Sequence, residues 1–197
     1  MKKYESFTNN SLADKLGSWL NRRQLLARLP KGRDVVIDLG SGMEARNILP
    51  LRRFFRLCIA TDFDVSARVL SRNVVAVRSN IVQLTSSLPD HSVDMFLLIS
   101  VLEHVEKQDI LVSEIHRALK PGGHLVINVP TWRGRPILEK MAFRLNLTSR
   151  FLINDHKRYY SKDSLWQVLR DAKFLPENIE VGTHKLGLSA FAMARKA

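Results

Sequence analysis

Cysteine is nearly absent from this sequence. Cys58 stands alone, so no intrachain disulfide can form and a reducing, cytoplasmic compartment is the expected setting. Long apolar runs are missing too. The longest, Met95–Ile99, is broken by Ser100 and falls far short of the roughly 20 residues a membrane-spanning helix needs. The opening MKKYESFTNN has two lysines but no apolar stretch, which argues against a secretory leader. No internal repeat, low-complexity tract or interdomain linker is visible, and 197 residues suit a single domain, 1–197, with a full-sized core. Acidic residues are the last shortage: 19 Asp and Glu against 31 Lys and Arg leave a net charge of +12. Such a field favours anionic partners (phosphates, nucleic acid or an acidic membrane surface), although a basic surface also serves solubility alone.

Against these shortages, one stretch is dense in signal. Val35–Gly42 reads VVIDLGSG, a β-branched run that ends in an acid and breaks into two glycines one residue apart. The run predicts a buried strand. The Gly-Ser-Gly lets the backbone turn sharply and come close to a ligand. A helix over Met43–Leu49, reaching to about Leu51, is expected to aim its free N–H groups at the same spot.

The remaining pattern alternates. Leu12–Leu29 predicts a basic amphipathic helix ended by Pro30, so that residues 1–30 form an N-terminal helical cap. Strands are expected at Leu57–Thr61, Val74–Val77, Val93–Ile99 and Leu125–Val129, with helices at Ser66–Arg72, Glu106–Leu119 and Leu165–Ala172. Pro121-Gly122-Gly123 is expected to stop the second of these helices, and Ile179–Val181 and Leu188–Ala194 to close the sheet. Arg52, Arg53 and Arg56 bracket Phe54 and Phe55 in a basic-aromatic knot, suited either to a phosphate or to the core. Strands and helices in this rhythm predict a parallel sheet wound on both faces. Residues 131–162 break the rhythm, as a substrate-side insertion late in an open sheet does.

Asp62 lies 20 residues beyond Gly42, at the end of the next expected strand, where an acid accepts both hydroxyls of a ribose. Gly40-x-Gly42-x-x-Ala45 also fits a dinucleotide fingerprint, but Asp38 before the glycines repels a pyrophosphate and suits a cationic amine. S-adenosylmethionine, a nucleoside carrying an α-amino group and a sulfonium, matches better. Asn80 is then placed to bond the adenine edge and Ile81 to pack on its face; no metal-ligand set is read.

The runs ISVLEHV (Ile99–Val105) and EIHRALKPGGHLVINVP (Glu114–Pro130) resemble the class I, Rossmann-like S-adenosylmethionine-dependent methyltransferases, in particular those acting on small molecules, lipids or glycans. VVIDLGSG, ATDFD and SNI with LPDHSVD are similar to the three preceding motifs of that family, and the resemblance covers Val35–Pro130. It implies a seven-stranded, mostly parallel sheet in the order 3-2-1-4-5-7-6, strand 7 antiparallel, with helices on both faces. It also implies cofactor roles for Asp38, Gly40, Ser41, Gly42, Asp62, Phe63, Asn80, Ile81 and Ser100. Two positions depart from the pattern: Glu44 stands where a third glycine is frequent, and Asn80 where an Asp is usual.

An oxygen acceptor must lose a proton on methylation, which makes histidine the natural base. His156, in the late insertion, is the first candidate and His104, just past the fourth strand, the second. The chain has no Pro-Pro-aromatic tetrapeptide after that strand and no Pro-Cys pair, which disfavours a nucleobase acceptor. The expected acceptor is a small-molecule, lipid-linked or glycan-linked group carrying an acid or phosphate, faced by Arg133, Arg135, Lys157 and Arg158. The expected location is cytoplasmic, with peripheral contact to the inner membrane surface through the basic N-terminal helix. Two other readings stand beside this one: a non-catalytic binding module on the same fold, supported by Glu44 and Asn80, and an RNA methyltransferase, supported by the charge alone.

Overall fold

The first strand is β-branched and flanked by polar turns, and it becomes the middle of the molecule. In the computed structural model, which describes Leu26 and residues 29–132, 158–184 and 187–197, this strand is β1, Val35–Leu39. It pairs in parallel with β2, Leu57–Asp62, on one side and with β4, Val93–Ile99, on the other. The full sheet runs β3-β2-β1-β4-β5-β7-β6, with β3 at Val74–Arg78, β5 at Leu119–Pro130, β6 at Ile179–His184 and β7 at Ser189–Arg195. β7 is antiparallel to both neighbours. This is the topology that the sequence implied. Most of the N-terminal cap and of the insertion, with Arg133, Arg135, His156 and Lys157, lies outside the described residues.

Alternation along the buried strands builds two cores, because successive side chains leave a strand on opposite faces. Met95, Leu97 and Ile99 join Val36, Leu51 and Phe55 on one face, where Leu26 and Leu29 also pack. Phe96 and Leu98 join Ile37 and Leu39 on the other. That second face is covered by α2, Gln108–Ala118, through Leu111 and Ile115, and by α3, Lys162–Asp171, through Leu165 and Leu169.

Four local expectations fail, each for a physical reason. Met43–Leu49 is not a helix. Gly42 and Ala45 both have positive φ (68° and 47°), so the chain crosses this stretch in turns and coils only into a 3-10 segment at Leu49–Arg53, with Pro50 at its start. Ser66–Arg72 shrinks to a 3-10 turn at Ala67–Val69, since Leu70 is already extended and Ser71 bridges back to Val74. Pro121-Gly122-Gly123 does not end a helix but lies inside β5 as a bulge. Between Val93↔Leu119 and Met95↔His124 the register advances two residues on β4 and five on β5. A helix also forms where none was expected, α1 at Ile81–Ser87. Its β-branched content argues against helix, but Asn80 caps it. At its far end the Arg117 guanidinium donates to the carbonyls of Thr85 and Leu88, at 3.2 and 2.8 Å, and pairs with Asp90.

At the N-terminal end of the sheet a buried carboxylate fixes the start of β1. Asp94 Oδ2 accepts from the backbone amides of Asp34 (3.0 Å) and Val35 (2.8 Å) and from Lys120 Nζ (3.1 Å). Asp94→Ala strands two backbone amides at a buried site, with Lys120 keeping only Asp34, and is expected to cost about 2–4 kcal/mol. Asp94→Asn, which keeps an oxygen for the amides, is expected to cost roughly half that. Urea midpoints at constant slope measure both, and a loss below about 0.5 kcal/mol for the alanine would show that the clasp is dispensable.

Candidate active site

Parallel pairing brings the C-terminal ends of β1, β2, β3 and β4 to one edge of the sheet, where ligands bind in open α/β folds. The turn after β1 is pinned there by its neighbour. Gly40 N and Ser41 N both donate to the Thr61 carbonyl (2.8 and 2.9 Å), and Gly42 N donates to Asp62 Oδ2 at 2.9 Å. Gly40 has φ +73°, and a Cβ on it would lie 2.4 Å from Val101 Cγ2. The position therefore takes only glycine. A Cβ on Gly42 would meet nothing within 4 Å, which leaves that side of the turn open. The expected helix amides are not there to face a ligand, and the three turn amides are spent on β2. A pyrophosphate is suited by the free amides of a helix N-terminus, and no helix begins at this turn.

Acids flank the turn instead. Asp38 is fully buried, and neither carboxylate oxygen has a hydrogen-bond partner among the described residues. Burial, and then the Asp62 charge beside it, push its pKa up to about 7. Asp62 is half-buried. Its Oδ2 holds Gly42 and its Oδ1 accepts from Asp64 N at 3.3 Å, and a carboxylate so bonded keeps lone pairs for further donors. Phe63, next to it, is 61% exposed. This donor set fits a cationic amine at Asp38 and a ribose diol at Asp62, the two ends of S-adenosylmethionine.

The other expected residues spread along the same edge. Asn80 is exposed, and its Oδ1 already accepts from Val82 N (2.9 Å) and Gln83 N (3.3 Å). Its amide NH2 is the group left for an adenine, a donor matched to a ring nitrogen and not to the exocyclic amine. Ile81 is partly buried against the core. Ser100 is exposed with φ 58°, and its amide donates to Asn128 O at 2.7 Å, closing β4 onto β5. Glu44 pairs with a neighbour on its own turn. It is exposed, with Arg46 Nε 2.6 Å away. His104 ends the 3-10 turn Leu102–His104 and is partly buried, its amide donating to Val101 O at 2.9 Å.

Sequence reasoning missed three groups. Thr61, read only as a strand residue, holds the turn through its carbonyl and has a buried Oγ1 without a partner among the described residues. Glu103 is buried, with Oε2 likewise unpartnered, and burial pushes its pKa up to about 8. An acid amid apolar neighbours in ISVLEHV was the available signal. Tyr160, at the return from the insertion, is buried; its hydroxyl bonds the Leu102 carbonyl (3.2 Å) and Gln108, and burial pushes its pKa up to about 12. Beside it the rings of Trp132, 59% exposed, and Tyr159 lie 5.2 Å apart.

Residues 37–127 match the methyltransferase domain family. A curated relative from Mycolicibacterium smegmatis, named "Probable S-adenosylmethionine-dependent methyltransferase", is 34% identical over 121 residues, 57% of this chain and 45% of that one. The chain spans about half the length of the curated relatives it matches. Among solved structures, a SAM-dependent methyltransferase from Archaeoglobus fulgidus superposes with a TM-score of 0.72 at 16% identity, over 92% of this chain and 94% of the other. Phosphoethanolamine N-methyltransferase 2 of Haemonchus contortus, solved with S-adenosyl-L-methionine, gives 0.68 at 14% identity, over 90% and 52%. The fold so defined is the Rossmann-like one with an antiparallel seventh strand. Together with the motifs, the match over residues 37–127 and the shared fold support a class I S-adenosylmethionine-dependent methyltransferase domain, a family whose cofactor is S-adenosylmethionine.

A carboxyl whose pKa rises on folding favours the folded state below its unfolded value, near 3.8, and that contribution is lost as pH rises through about 7. The cofactor-free protein should therefore lose stability across that window. Asp38→Asn should flatten the slope and gain about 1–3 kcal/mol at alkaline pH. The same variant should bind S-adenosylmethionine at least about tenfold more weakly, without the rise in affinity on ionisation that the parent shows. Melting curves and calorimetry across the pH range read both effects, and unchanged affinity would remove Asp38 from the site.

Proposed function

We propose that this chain transfers the methyl group of S-adenosylmethionine to a small-molecule, lipid-linked or glycan-linked acceptor bearing an acid or phosphate. The observation that carries the transferase reading is the acid-flanked glycine turn, with Asp38 buried and unpartnered beside Asp62 among the described residues. The sulfonium supplies an electrophilic methyl group, so the protein's work is positioning and, for an oxygen acceptor, proton removal. Asp62 would take the ribose hydroxyls, Asp38 the amine, and the β4–β5 end of the sheet the acceptor. The anionic acceptor rests on the basic side chains of and around the insertion, of which Arg158 is described and exposed. Trp132 and Tyr159 add an aromatic wall at the same end of β5. The location is proposed as cytoplasmic, with peripheral contact to the inner membrane surface through the N-terminal segment.

The non-catalytic alternative keeps Glu44 and Asn80 as its supports, with the Glu44 charge offset by Arg46. The RNA alternative keeps only the charge.

The test has two stages. Calorimetry with S-adenosylmethionine comes first, and no binding would favour the non-catalytic module. Transfer of labelled methyl groups into extract fractions follows, with label expected in the lipid, glycan or small-molecule fraction; label in nucleic acid would overturn the acceptor class. His156→Ala is then expected to cut turnover roughly 10²-fold or more, as loss of a general base does, with cofactor affinity intact. Unchanged turnover would exclude it as the base.

A further inference from the structure

The basic-aromatic knot has no part in the chemistry above, and the fold puts it at the other end of the sheet. The chain enters β1, β2 and β3 there through neighbouring turns. Arg56 N donates to Arg33 O (2.9 Å), and Asn73 Nδ2 donates to the carbonyls of Arg52 (2.8 Å) and Phe55 (2.9 Å). Arg33, Arg52, Arg53, Arg56 and Arg72 are thereby gathered at one end, all exposed. The acid among them, Asp34, is engaged by Lys120 at 2.9 Å and Arg56 at 3.4 Å. The two phenylalanines separate: Phe55 is 3% exposed in the core, and Phe54 is 37% exposed with the Arg33 guanidinium 6.0 Å from its ring centre. Leu70, on the approach to β3, is 54% exposed.

We propose that this end of the folded domain docks on an anionic lipid surface, the arginines meeting headgroup phosphates and Phe54 and Leu70 entering the headgroup–acyl boundary. The inference gives the peripheral location proposed above a surface on the domain itself, and rests on that location alone. Charge complementarity selects an anionic occupant, and exposed apolar side chains among the arginines select a bilayer. Nucleic acid fits less well. One face of Phe54 is covered by Arg33 and cannot take a stacked base. The five residues of β1, about 16 Å of strand, also separate the patch from the glycine turn, so a strand held here is not presented as acceptor. Arg33 Nε donates to Pro30 O at 3.3 Å, which ties Pro30 to this same end. Docked this way, the cofactor edge faces the water, and the acceptor's reactive group arrives from the aqueous side.

Co-sedimentation of the full chain with phosphatidylglycerol vesicles and with pure phosphatidylcholine vesicles tests this. Binding is expected to the first only. Arg52→Glu/Arg53→Glu should lower it roughly tenfold or more, and Phe54→Ala should lower it further at high salt, where charge is screened. Arg52→Lys/Arg53→Lys should retain it. Calorimetry with S-adenosylmethionine on the same samples should be unchanged, which reports an intact fold and keeps this outcome separate from the transferase reading. If the double reversal fails to fold, Arg72→Glu serves in its place. Equal loss from reversing Lys162 on α3 and Lys173 just beyond it, or an RNA oligonucleotide that binds in preference to the vesicles and is lost in the same patch variants, would overturn the proposal.

Discussion

Three consecutive amides of the turn after β1 bond to the end of β2, two to the Thr61 carbonyl and one to the Asp62 carboxylate. Everything at the cofactor edge depends on this clasp. It is possible because β1 and β2 run parallel in a register that sets Leu39 against Thr61. It also demands left-handed backbone at Gly40 and Gly42, so the glycines and the acid twenty residues later are one device. Spending the amides on β2 turns a generic nucleotide turn into a specific one. With these three amides spent, the turn offers the Asp38 and Asp62 carboxylates beside it, which suit a ligand cationic at one point and bearing hydroxyls at another.

That choice has an energetic cost which the rest of the fold carries. Asp38 gains nothing from the folded chain alone: it is desolvated, unpartnered among the described residues and repelled by Asp62. A proton relieves the strain when no ligand is bound, which is why its pKa rises towards neutrality. A cationic amine held there would do the same work, and would link ligand binding to folding stability through this one side chain. Stability is recovered elsewhere, in the Asp94 clasp under β1 and in the Arg117 guanidinium that ties α1 to α2.

Strands were legible because burial on both faces leaves a plain apolar run, as in Val93–Ile99, where prediction and structure coincide. Connections were not. Nothing local says that Ala45 adopts positive φ, or that Ser71 turns back onto Val74, because both are imposed by the strand spacing. The bulge in β5 hid behind a Pro-Gly-Gly that reads as a stop. Its purpose is visible only with β7 in place, when Gly122 N and Gly123 O bond Lys196 at the end of the chain. In the site, Asp38, the two glycines and Asp62 could be read from spacing. Glu103 and Thr61 could not, since an orphaned polar atom is a property of the surroundings and not of the residue. Asn80 was assigned to a ligand when its first task is to cap α1.

A parallel sheet has two unlike ends, and this chain uses both. At the C-terminal ends of its strands the connections swing wide and leave a crevice lined by carboxylates. At the N-terminal ends they are drawn tight by Asp94 and Asn73, which leaves their arginines with no acid to answer them except Asp34. Five of the exposed arginines among the described residues, Arg33, Arg52, Arg53, Arg56 and Arg72, stand at this one end. A share of the net charge of +12 is gathered at the end farthest from the reaction, where a positive field neither attracts the cationic cofactor nor repels it. Separating the two ends by the length of a strand, about 16 Å and more than a Debye length at physiological salt, keeps the acids of the glycine turn and the arginines at the far end from screening one another.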